Sequence, residues 1–361
     1  MLVLGAGLAG LHAARLLHAA GVDVVLVEAR DRLGGRILSV DADGQPSDDG
    51  FDLGPSWYWP DAQPALGALV AQLGLQAFAQ ASEGDVIVER MSREAPRRYR
   101  GIAQEARSMR IAGGTAALVR ALAGALPPAR IVIGARATAM ILGDHGVEVS
   151  LAPAQGPAYQ VTAAHVIAAL PPRLLAHAVA FTPAPPAPTL ARWRDTPTWM
   201  APHAKFVALY DQPFWRDAGL SGTAQSMVGP MAEIHDATTA SGRAALFGFV
   251  GVAAEQRAAV GEAAVSGACV DQLVRLFGPA ARSPRATLLK DWAADPLTAT
   301  AADRVPGGHP LADATPWVDG PWQGRLALAG SETSPAEPGY LAGAVVAATR
   351  AVEATLARLG R

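Results

Sequence analysis

The first thirty residues contain two short apolar runs with one helical pattern between them. Residues 2–4 are continuously apolar, residues 8–20 repeat apolar positions at helical spacing, and residues 24–27 form a second apolar run. Short continuous runs of this kind are typical of strands that are buried on both faces, as in a parallel sheet. The pattern therefore predicts a strand–helix–strand unit at the start of the chain.

Farther along, the hydrophobic pattern predicts two further groups of elements. Between residues 131 and 170, apolar and polar positions alternate in short segments, which favours antiparallel ribbons. Four prolines between Pro183 and Pro188 indicate a crossing between domains. The other predicted elements are helices within 62–82, 115–126, 255–277 and 340–359 and strands at 205–210, 244–252 and 325–329.

The composition narrows the class of protein. Of the 361 residues, 50% are hydrophobic and 17% are charged, which suits a folded chain of two or three domains. The net charge of −2 predicts neither a nucleic-acid partner nor a polybasic membrane contact. The single cysteine, Cys269, excludes an intramolecular disulfide and any multi-cysteine metal site, and we expect no metal ion.

Neither a targeting segment nor a membrane span is predicted. The longest uncharged stretches, 62–82 and 151–172, are interrupted by Gln, Pro, Gly or His, whereas a membrane span needs about 20 largely apolar residues. No basic leader precedes the first apolar run. The sequence therefore predicts a cytoplasmic protein without a membrane span.

A glycine-rich turn follows the first predicted strand. Gly5 permits the tight turn, Gly7 allows a pyrophosphate to approach, and Gly10 allows the helix to pack on the strand. The helix N-terminus, with Ala9 in its first turn, offers amide groups and a positive dipole to phosphates. Glu28, at the end of the second strand, suits a ribose diol and disfavours a 2′-phosphate. The fingerprint predicts NAD or FAD rather than NADP.

The residues after Glu28 distinguish these two dinucleotides. The run continues as Ala29-Arg30-Asp31-Arg32-Leu33-Gly34-Gly35-Arg36. Its paired glycines again allow close approach of the backbone, and Arg36 suits a bidentate contact with a diphosphate. This continuation favours FAD.

Together these motifs resemble the flavin-containing amine oxidases, the family of monoamine and polyamine oxidases. The resemblance continues in order along nearly the whole chain. The further matching segments are Asp52-Leu53-Gly54-Pro55-Ser56-Trp57, Gly113-Gly114-Thr115, Ala137, Ala169-Leu170-Pro171-Pro172, the segment from Lys205 to Trp215, Trp292 with Asp295-Pro296, Leu328-Ala329-Gly330-Ser331-Glu332-Thr333 and Pro338-Gly339-Tyr340-Leu341.

The resemblance implies a binding role for most of these segments. It assigns the loop 52–57 to contacts with the flavin, the backbone of Ala137 to the adenine, and Trp292 to a position beside the isoalloxazine. The residues that it assigns to FAD are Gly5, Gly7, Ala9, Gly10, Glu28, Ala29, Arg30, Gly34, Gly35, Arg36, Gly54, Pro55, Ser56, Trp57, Ala137, Trp292, Gly330, Ser331, Glu332, Gly339, Tyr340 and Leu341.

Two residues are implied in catalysis. Lys205 corresponds to the family lysine that holds a water near flavin N5 and assists the reaction with oxygen. Tyr340 corresponds to an aromatic wall over the reacting ring, and Leu341 would contribute its N–H. A helix that begins near Tyr340 would aim its dipole at the flavin and stabilise the charge of the reduced ring.

The implied fold is α/β. A Rossmann-like FAD-binding domain, with the glycine fingerprint and a parallel sheet, is interleaved with an α+β substrate domain. We expect the FAD-binding domain to comprise 1–61, 110–195 and 292–361. The substrate domain would comprise 62–109 and 196–291.

Two departures from the family pattern change these expectations. No cysteine lies between Trp292 and Gly330, so the covalent flavin linkage of monoamine oxidases cannot form and FAD should be noncovalent. In those oxidases a second aromatic residue faces the one that Tyr340 matches, but here the position maps to about Ala302. Other aromatic residues that could supply this surface are Trp57, Tyr58, Trp59, Trp199 and Phe247.

The resemblance implies an oxidoreductase that oxidises an amine by hydride transfer to flavin N5. O₂ would be the acceptor and H₂O₂ the product, and a homodimer is one expected assembly. Two alternatives remain open: a C–C desaturase of the phytoene desaturase or protoporphyrinogen oxidase type, which shares the N-terminal motif, and a flavin-binding protein without turnover.

Overall fold

The computed structural model describes residues 1–101, 107–305 and 307–360. Within these ranges the helices are α1 Leu8–Ala19, α2 Pro64–Gln72, α3 Ala116–Gly124, α4 Pro172–Ala178, α5 Ala187–Asp195, α6 Phe214–Asp217, α7 Ala254–Val260, α8 Glu262–Phe277 and α9 Leu341–Arg358. Among these helices, none combines the length and the apolar character that crossing a bilayer requires.

The strands of the same ranges fall into three larger sheets and two short pairs. In chain order they are β1 Leu2–Leu4, β2 Val25–Val27, β3 Ser39–Val40, β4 Phe51–Asp52, β5 Ala77–Ala79, β6 Asp85–Glu89, β7 Arg97–Tyr99, β8 Met109–Ile111, β9 Ile131–Val132, β10 Ala135–Gly143, β11 Gly146–Pro153, β12 Tyr159–Ala163, β13 Val166–Ala168, β14 Ala180–Thr182, β15 Ala204–Tyr210, β16 Leu220–Ser226, β17 Met231–Asp236, β18 Ala244–Val250, β19 Ala286–Asp291 and β20 Leu326–Leu328.

The N-terminal strand β1 lies at the centre of a five-stranded parallel sheet. The strand order is β20-β13-β1-β2-β9, and each neighbouring pair is parallel. Its strands are short and apolar, because helices cover one face and a second sheet covers the other. On the helical side Val3 packs with Leu11, Leu118 and Ala348, which come from α1, α3 and α9. The predicted Rossmann-like parallel sheet is therefore confirmed.

A four-stranded sheet covers the other face of the parallel sheet. Its order is β12-β11-β10-β14, with antiparallel pairing of β10, β11 and β12 as the alternating pattern predicted. β14 joins β10 in parallel. Met140 and Val149 from this sheet pack against Leu4 and Val27, the opposite side of β1 and β2.

The third sheet has seven strands in the order β19-β15-β18-β17-β16-β6-β7. Alternation along β15 points Phe206 and Ala208 toward α8, whereas Val207 and Leu209 pack against Phe51 and neighbouring residues of the N-terminal region. Thus one face carries its own helical layer and the other face lies on the part of the molecule that contains the glycine turns.

The strand pairing brings distant segments of the chain into the same sheets. β6, from 62–109, pairs with β16, from 196–291, and β7 pairs with β6, while β20, from 292–361, joins the sheet of β1, β9 and β13. This pairing agrees with the interleaved arrangement expected from the sequence. The domain boundaries themselves stay predictions.

Glycines shorten two of the predicted helices. Within 62–82 the helix α2 ends at Gln72, because Gly74 has a φ of +65° and the chain then forms β5. Within 255–277 Gly261, at a φ of +82°, separates α7 from α8. A left-handed residue cannot continue a right-handed helix, so each of these glycines ends an element.

Candidate functional site

In the glycine turn after β1, Gly10 is closely packed whereas the space beside Gly7 is open. A Cβ on Gly10 would lie 1.8 Å from the carbonyl oxygen of Gly5, so the helix can approach the strand only because Gly10 has no side chain. A Cβ on Gly7 would meet nothing closer than the Gly34 carbonyl oxygen at 3.9 Å. Gly7 is the N-cap of α1 and has no side-chain cap, so the first amides of the helix lack partners within the helix.

The second pair of glycines faces the first turn. The amide of Gly34 donates to the carbonyl of Ala6 at 2.8 Å. A Cβ on Gly35, whose φ is +57°, would lie 3.3 Å from the Cα of Gly7. The glycines of these two backbone segments therefore leave a cradle next to a helix N-terminus. This is the geometry that a pyrophosphate requires, and side chains at these positions would fill it.

Glu28 lies beside this cradle at the end of β2 and is buried. Its Oε2 accepts a hydrogen bond from the amide of Ala6 at 2.6 Å, and its Oε1 accepts one from the amide of Arg30 at 2.8 Å. Ala137 follows on the adjacent part of β10, where the register with β11 shifts between Ala137 and Ala139. A bulge leaves backbone groups unpaired, which suits the expected adenine contact.

Two of the three arginines of the glycine-rich run, Arg30 and Arg36, bind carboxylates that the sequence did not predict. Arg30 binds Asp295 through two hydrogen bonds of 3.0 and 2.8 Å. Burial alone would raise the pKa of Asp295, but Arg30 and Lys290 outweigh it and hold that pKa below its usual value. Arg36 donates to both carboxylate oxygens of Glu332, at 2.6 and 3.1 Å.

Arg36 therefore joins the glycine-rich run to the C-terminal motif. Its remaining contacts are to the Oγ of Ser331 at 3.0 Å and to the carbonyl of Trp199 at 3.0 Å. In this structure Arg36 forms a bidentate pair with Glu332, because a fully buried carboxylate needs a charged partner. A phosphate contact of Arg36 stays a prediction.

Lys205 is buried where β15 faces the loop 52–57. Its Nζ donates to the Oγ of Ser56 at 2.6 Å and to the carbonyl of Gly54 at 3.0 Å. The same nitrogen lies 4.0 Å from the centre of the Phe247 ring and 5.9 Å from that of Phe249. Burial lowers the pKa of Lys205 to about 7, a tendency that the charge of Asp52 opposes and that of Arg110 reinforces. Near neutral pH this amine can therefore both accept and release a proton.

Asp52 and Arg110 are buried charges near Lys205; Asp52 was predicted only as part of the loop 52–57, and Arg110 was not predicted as a site residue. Asp52 Oδ1 accepts hydrogen bonds from Ser39 Oγ and from the amide and hydroxyl of Thr115, at 2.5, 2.9 and 2.9 Å. Arg110 donates to the carbonyls of Thr238 and Ala237. A charged residue inside a short apolar segment, such as 51–53 or 109–111, was the signal that could have found them.

Two tryptophans close this region. Trp57 donates to the Oε1 of Gln80 at 2.8 Å, and its ring lies 5.2 Å from that of Phe247. Trp292 donates to the carbonyl of Leu53 at 3.0 Å. Gly54, Ser56, Trp57, Lys205 and Trp292 are thus brought together around one loop, while Pro55 accepts a hydrogen bond from Thr115 through its carbonyl.

The C-terminal motif ends at the N-terminus of α9, which begins at Leu341 with Tyr340 as its N-cap and no side-chain cap. Gly330 must be a glycine, because a Cβ there would lie 2.2 Å from the carbonyl oxygen of Leu170. Tyr340 is 37% exposed as a residue. No hydrogen bond or ring contact joins Tyr340 to Lys205 among the residues that the structure describes.

Comparison with known proteins identifies one family. The family model described as "Flavin containing amine oxidoreductase" matches residues 8–102 and 78–356. Among curated proteins, the putrescine oxidase of Kocuria rosea is 46% identical over 87 residues, which are 24% of this chain and 17% of that protein. The probable flavin-containing monoamine oxidase A of Dictyostelium discoideum is 30% identical over 186 residues, 50% of this chain and 39% of that protein. The matches to these two relatives span less than half of each relative's length.

Solved structures extend the likeness to the whole chain. A putrescine oxidase triple mutant with redesigned cofactor binding superimposes with a TM-score of 0.81 at 21% identity, covering 99% of this chain and 98% of that one. The cyclohexylamine oxidase of Brevibacterium oxydans IH-35A superimposes with a TM-score of 0.78 at 21% identity. The superposition covers 100% of this chain and 99% of that one. At this identity the likeness shows a shared fold.

Proposed function

This chain belongs to the flavin-containing amine oxidoreductase family, and on that basis we propose that it is an FAD-dependent enzyme that oxidises an amine. The observation that carries the proposal is the meeting of two glycine turns, where a Cβ on Gly35 would lie 3.3 Å from the Cα of Gly7. The donor set of this cradle, backbone amides at a helix N-terminus with Glu28 beside them, fits the pyrophosphate and ribose of a dinucleotide.

In the proposed complex the chain holds FAD without a covalent bond. The amides of the first turn of α1 bind the pyrophosphate, Glu28 accepts hydrogen bonds from the ribose diol, and the backbone at Ala137 binds the adenine. The N-terminus of α9, with the amide of Leu341, directs a positive dipole toward the ring system. No cysteine lies between Trp292 and Gly330 to form a covalent link.

When bound, FAD supplies the electron sink, since it accepts a hydride from the carbon next to the amine nitrogen. The chain then has three tasks: to orient the amine, to exclude water and to manage protons. Lys205 suits the last task, because a pKa of about 7 lets its Nζ, which donates to the Oγ of Ser56, both hold and release a proton near neutral pH. Phe247 and Phe249 keep the amino group of Lys205 in an apolar environment.

We further propose O₂ as the electron acceptor, with H₂O₂ as the product, and an amine as the substrate. Relatives of this chain are named for putrescine, polyamine and monoamine oxidation, which supports an amine over the desaturase alternative. A homodimer and a cytoplasmic location also belong to the proposal, and size-exclusion chromatography with light scattering tests the first.

The proposal is tested on the purified protein. We expect flavin absorbance that is released on acid precipitation, because the cofactor is noncovalent. Under anaerobic conditions at least one member of a panel of aliphatic, aromatic and diamine substrates should bleach that absorbance, and air should restore it with formation of H₂O₂. Absence of flavin contradicts the cofactor, and flavin that no amine bleaches favours a binding protein without turnover.

A separate variant tests the role of Lys205. In Lys205→Met we expect reduction by the amine to persist and reoxidation by O₂ to slow by at least tenfold, since the proton-exchanging group is removed. Lys290→Met is the matched control, because Lys290 faces Lys205 across the strand pair and the two are the only lysines of the chain. Unchanged reoxidation in Lys205→Met would show that Lys205 has no part in it.

A further inference from the structure

A groove with largely apolar walls lies against β20, the edge strand of the five-stranded sheet. It is enclosed by β20, by the second half of α9 and by residues 314–318, and its volume is about 280 Å³. Trp317, Leu326, Leu328 and Ala354 are among the apolar residues that line it. This volume is close to the lower end of the range for small-molecule sites.

The groove is separate from the proposed cofactor site. Its lining includes none of the residues assigned to FAD. The helix α9 begins at Leu341, whereas the charged residues that it contributes to the groove are Arg350 and Arg358. At about 1.5 Å per residue, these two lie roughly 14 and 25 Å along the helix from Leu341. A ligand in the groove would therefore occupy a site of its own.

Two guanidinium groups in the groove have no anionic partner among the described residues. Arg350 is partly buried, and the one hydrogen bond of its side chain within these ranges is a long one, 3.5 Å, to the hydroxyl of Thr333. Arg358 is exposed and forms neither a hydrogen bond nor an ion pair there. Its place in the last turn suits the dipole of α9, but Arg350, in the middle of the helix, has no such compensation. An anion in the groove would supply the missing partner.

The electrostatic surroundings of the groove are positive. Burial lowers the pKa of Arg350, and the charge of Arg192 lowers it further. Arg192 is itself paired with Asp313 at 2.7 Å, so that carboxylate is already engaged. The pKa of His165 is lowered by burial and, to a smaller extent, by the charge of Arg358. A cleft with an excess of one sign of charge attracts ligands of the opposite sign.

Trp317 supplies a fixed aromatic wall and an unpaired donor. The guanidinium of Arg192 lies 3.7 Å from the centre of its ring and binds the carbonyls of Thr315 and Pro316. The carbonyl of Trp317 accepts from the Nε1 of Trp193 at 2.8 Å. Trp317 is 7% exposed, and its own Nε1 has no hydrogen-bond partner within the part of the chain that the structure describes. Because an indole N–H only donates, the partner that it lacks is an acceptor.

We propose that this groove binds a soluble carboxylate with an apolar body of about eight carbons. The carboxylate would pair with Arg350 and Arg358, since a guanidinium binds a carboxylate through two parallel hydrogen bonds. The apolar body would lie against Trp317, Leu326 and Leu328, out of contact with water. The volume of the groove corresponds to roughly nine water molecules at about 30 Å³ each, which sets the size of the ligand.

Calorimetry on the FAD-loaded protein tests this site with octanoate and with octanamide, which has the same chain and no charge. We expect octanoate to bind and octanamide to bind roughly tenfold more weakly, because the charge-assisted hydrogen bonds are lost. Arg350→Gln should weaken octanoate binding by a similar factor. Ala354→Trp fills the groove from an exposed helix position and should abolish binding. Ala357→Trp, the matched control, places the same ring at an exposed position of α9 outside the groove and should bind as wild type does.

Several outcomes would overturn the inference. Wild-type protein that does not bind octanoate, octanamide that binds as tightly as octanoate, or octanoate binding that Ala354→Trp leaves unchanged would each do so. Circular dichroism identifies an Arg350→Gln protein that fails to fold, and the comparison of Ala354→Trp with Ala357→Trp then decides.

Two further measurements define what the site binds and what it is independent of. Sedimentation with phosphatidylglycerol vesicles distinguishes a soluble ligand from a lipid surface, and we expect no protein in the pellet. Vesicle binding that Ala354→Trp abolishes, without binding of octanoate, would contradict the proposal. The inference does not rest on the proposed function, so Ala354→Trp should keep its flavin and its bleaching by amines. Octanoate binding in a protein whose flavin no amine bleaches would refute the proposed function alone.

Discussion

The side-chain nitrogen of Lys205 lies 2.6 Å from the hydroxyl of Ser56, although 149 positions separate the two residues in the chain. Lys205 is the second residue of the fully buried strand β15, and Ser56 comes from the loop that follows β4. A lysine placed in this way cannot be solvated, so its pKa falls to about 7. The contact thus links the packing of the seven-stranded sheet to the chemistry of the site.

The lowered pKa of Lys205 predicts how stability depends on pH. Between about pH 7 and the ordinary value of 10.5, the unfolded chain binds a proton at Lys205 that the folded chain does not bind. The free energy of unfolding therefore rises with pH in this window, by at most about 1.4 kcal/mol per unit from this group. Lys205→Met should remove that rise, which urea unfolding at a series of pH values measures.

Lys290→Met serves as the control for this prediction. Lys290 is paired with Asp295 at 3.1 Å and is partly exposed, so its removal should leave the rise between pH 7 and 10.5 in place. A constant difference in unfolding free energy between wild type and Lys205→Met across the window would mean that Lys205 titrates normally.

Two alanine substitutions in the first glycine turn should impair the protein in different ways: Gly7→Ala should impair cofactor binding and Gly10→Ala should impair folding. Gly7→Ala should fold, because the new Cβ meets no atom closer than 3.9 Å and the φ of −71° suits alanine, but it should lose most FAD because the methyl group enters the cradle. Gly10→Ala should not reach the native fold, because its Cβ would lie 1.8 Å from a carbonyl oxygen. Circular dichroism and flavin absorbance distinguish these outcomes, and a Gly7→Ala protein with full flavin content would rule out this turn as the phosphate site.

The Arg36–Glu332 pair should contribute strongly to stability. In Glu332→Gln a guanidinium that is 27% exposed loses the fully buried carboxylate that neutralises it, so we expect a loss of about 3–5 kcal/mol in the free energy of unfolding. Glu94→Gln is the matched control, because Glu94 pairs with Arg97 on the surface and should change stability by less than about 1 kcal/mol. Urea unfolding of both variants measures these losses. Similar losses would contradict the prediction that the buried pair contributes more stability than the surface pair.

The backbone strain at Met200, a residue other than glycine with a positive φ, is tested by a pair of variants. Both Met200→Gly and Met200→Ala remove the side chain, but only glycine adopts a φ of +63° without steric cost. We therefore expect the glycine variant to be more stable than the alanine variant by about 1 kcal/mol, as measured by thermal or urea unfolding. An alanine variant as stable as the glycine variant would exclude strain at this position.

Local sequence was sufficient where an element is specified by its own residues. The strand–turn–helix–strand unit was predicted from residues 2–28, since apolar periodicity and three glycines encode it within one short segment. The antiparallel ribbon over residues 135–163 was likewise predicted, because alternation indicates which face of a strand is buried. Both predictions concern contacts between neighbouring segments.

The partners of buried charges could not be predicted in this way. Glu332, the carboxylate partner of Arg36, lies 296 positions away along the chain, and no local pattern indicated this pair. Asp52 and Arg110 influence the pKa of Lys205, although the sequence indicated neither of them as its partner. Electrostatic pairing depends on distance in space and on burial, and neither quantity is encoded in local periodicity.

The sequence by itself determined the family, the parallel sheet and the cofactor class, because each depends on motifs whose glycines and acidic residue act through the local backbone. Tertiary structure alone decided that Lys205 is desolvated and that Arg36 is bound by Glu332. These features arise where segments from distant parts of the chain pack together, and the identity of a residue does not state what will lie against it.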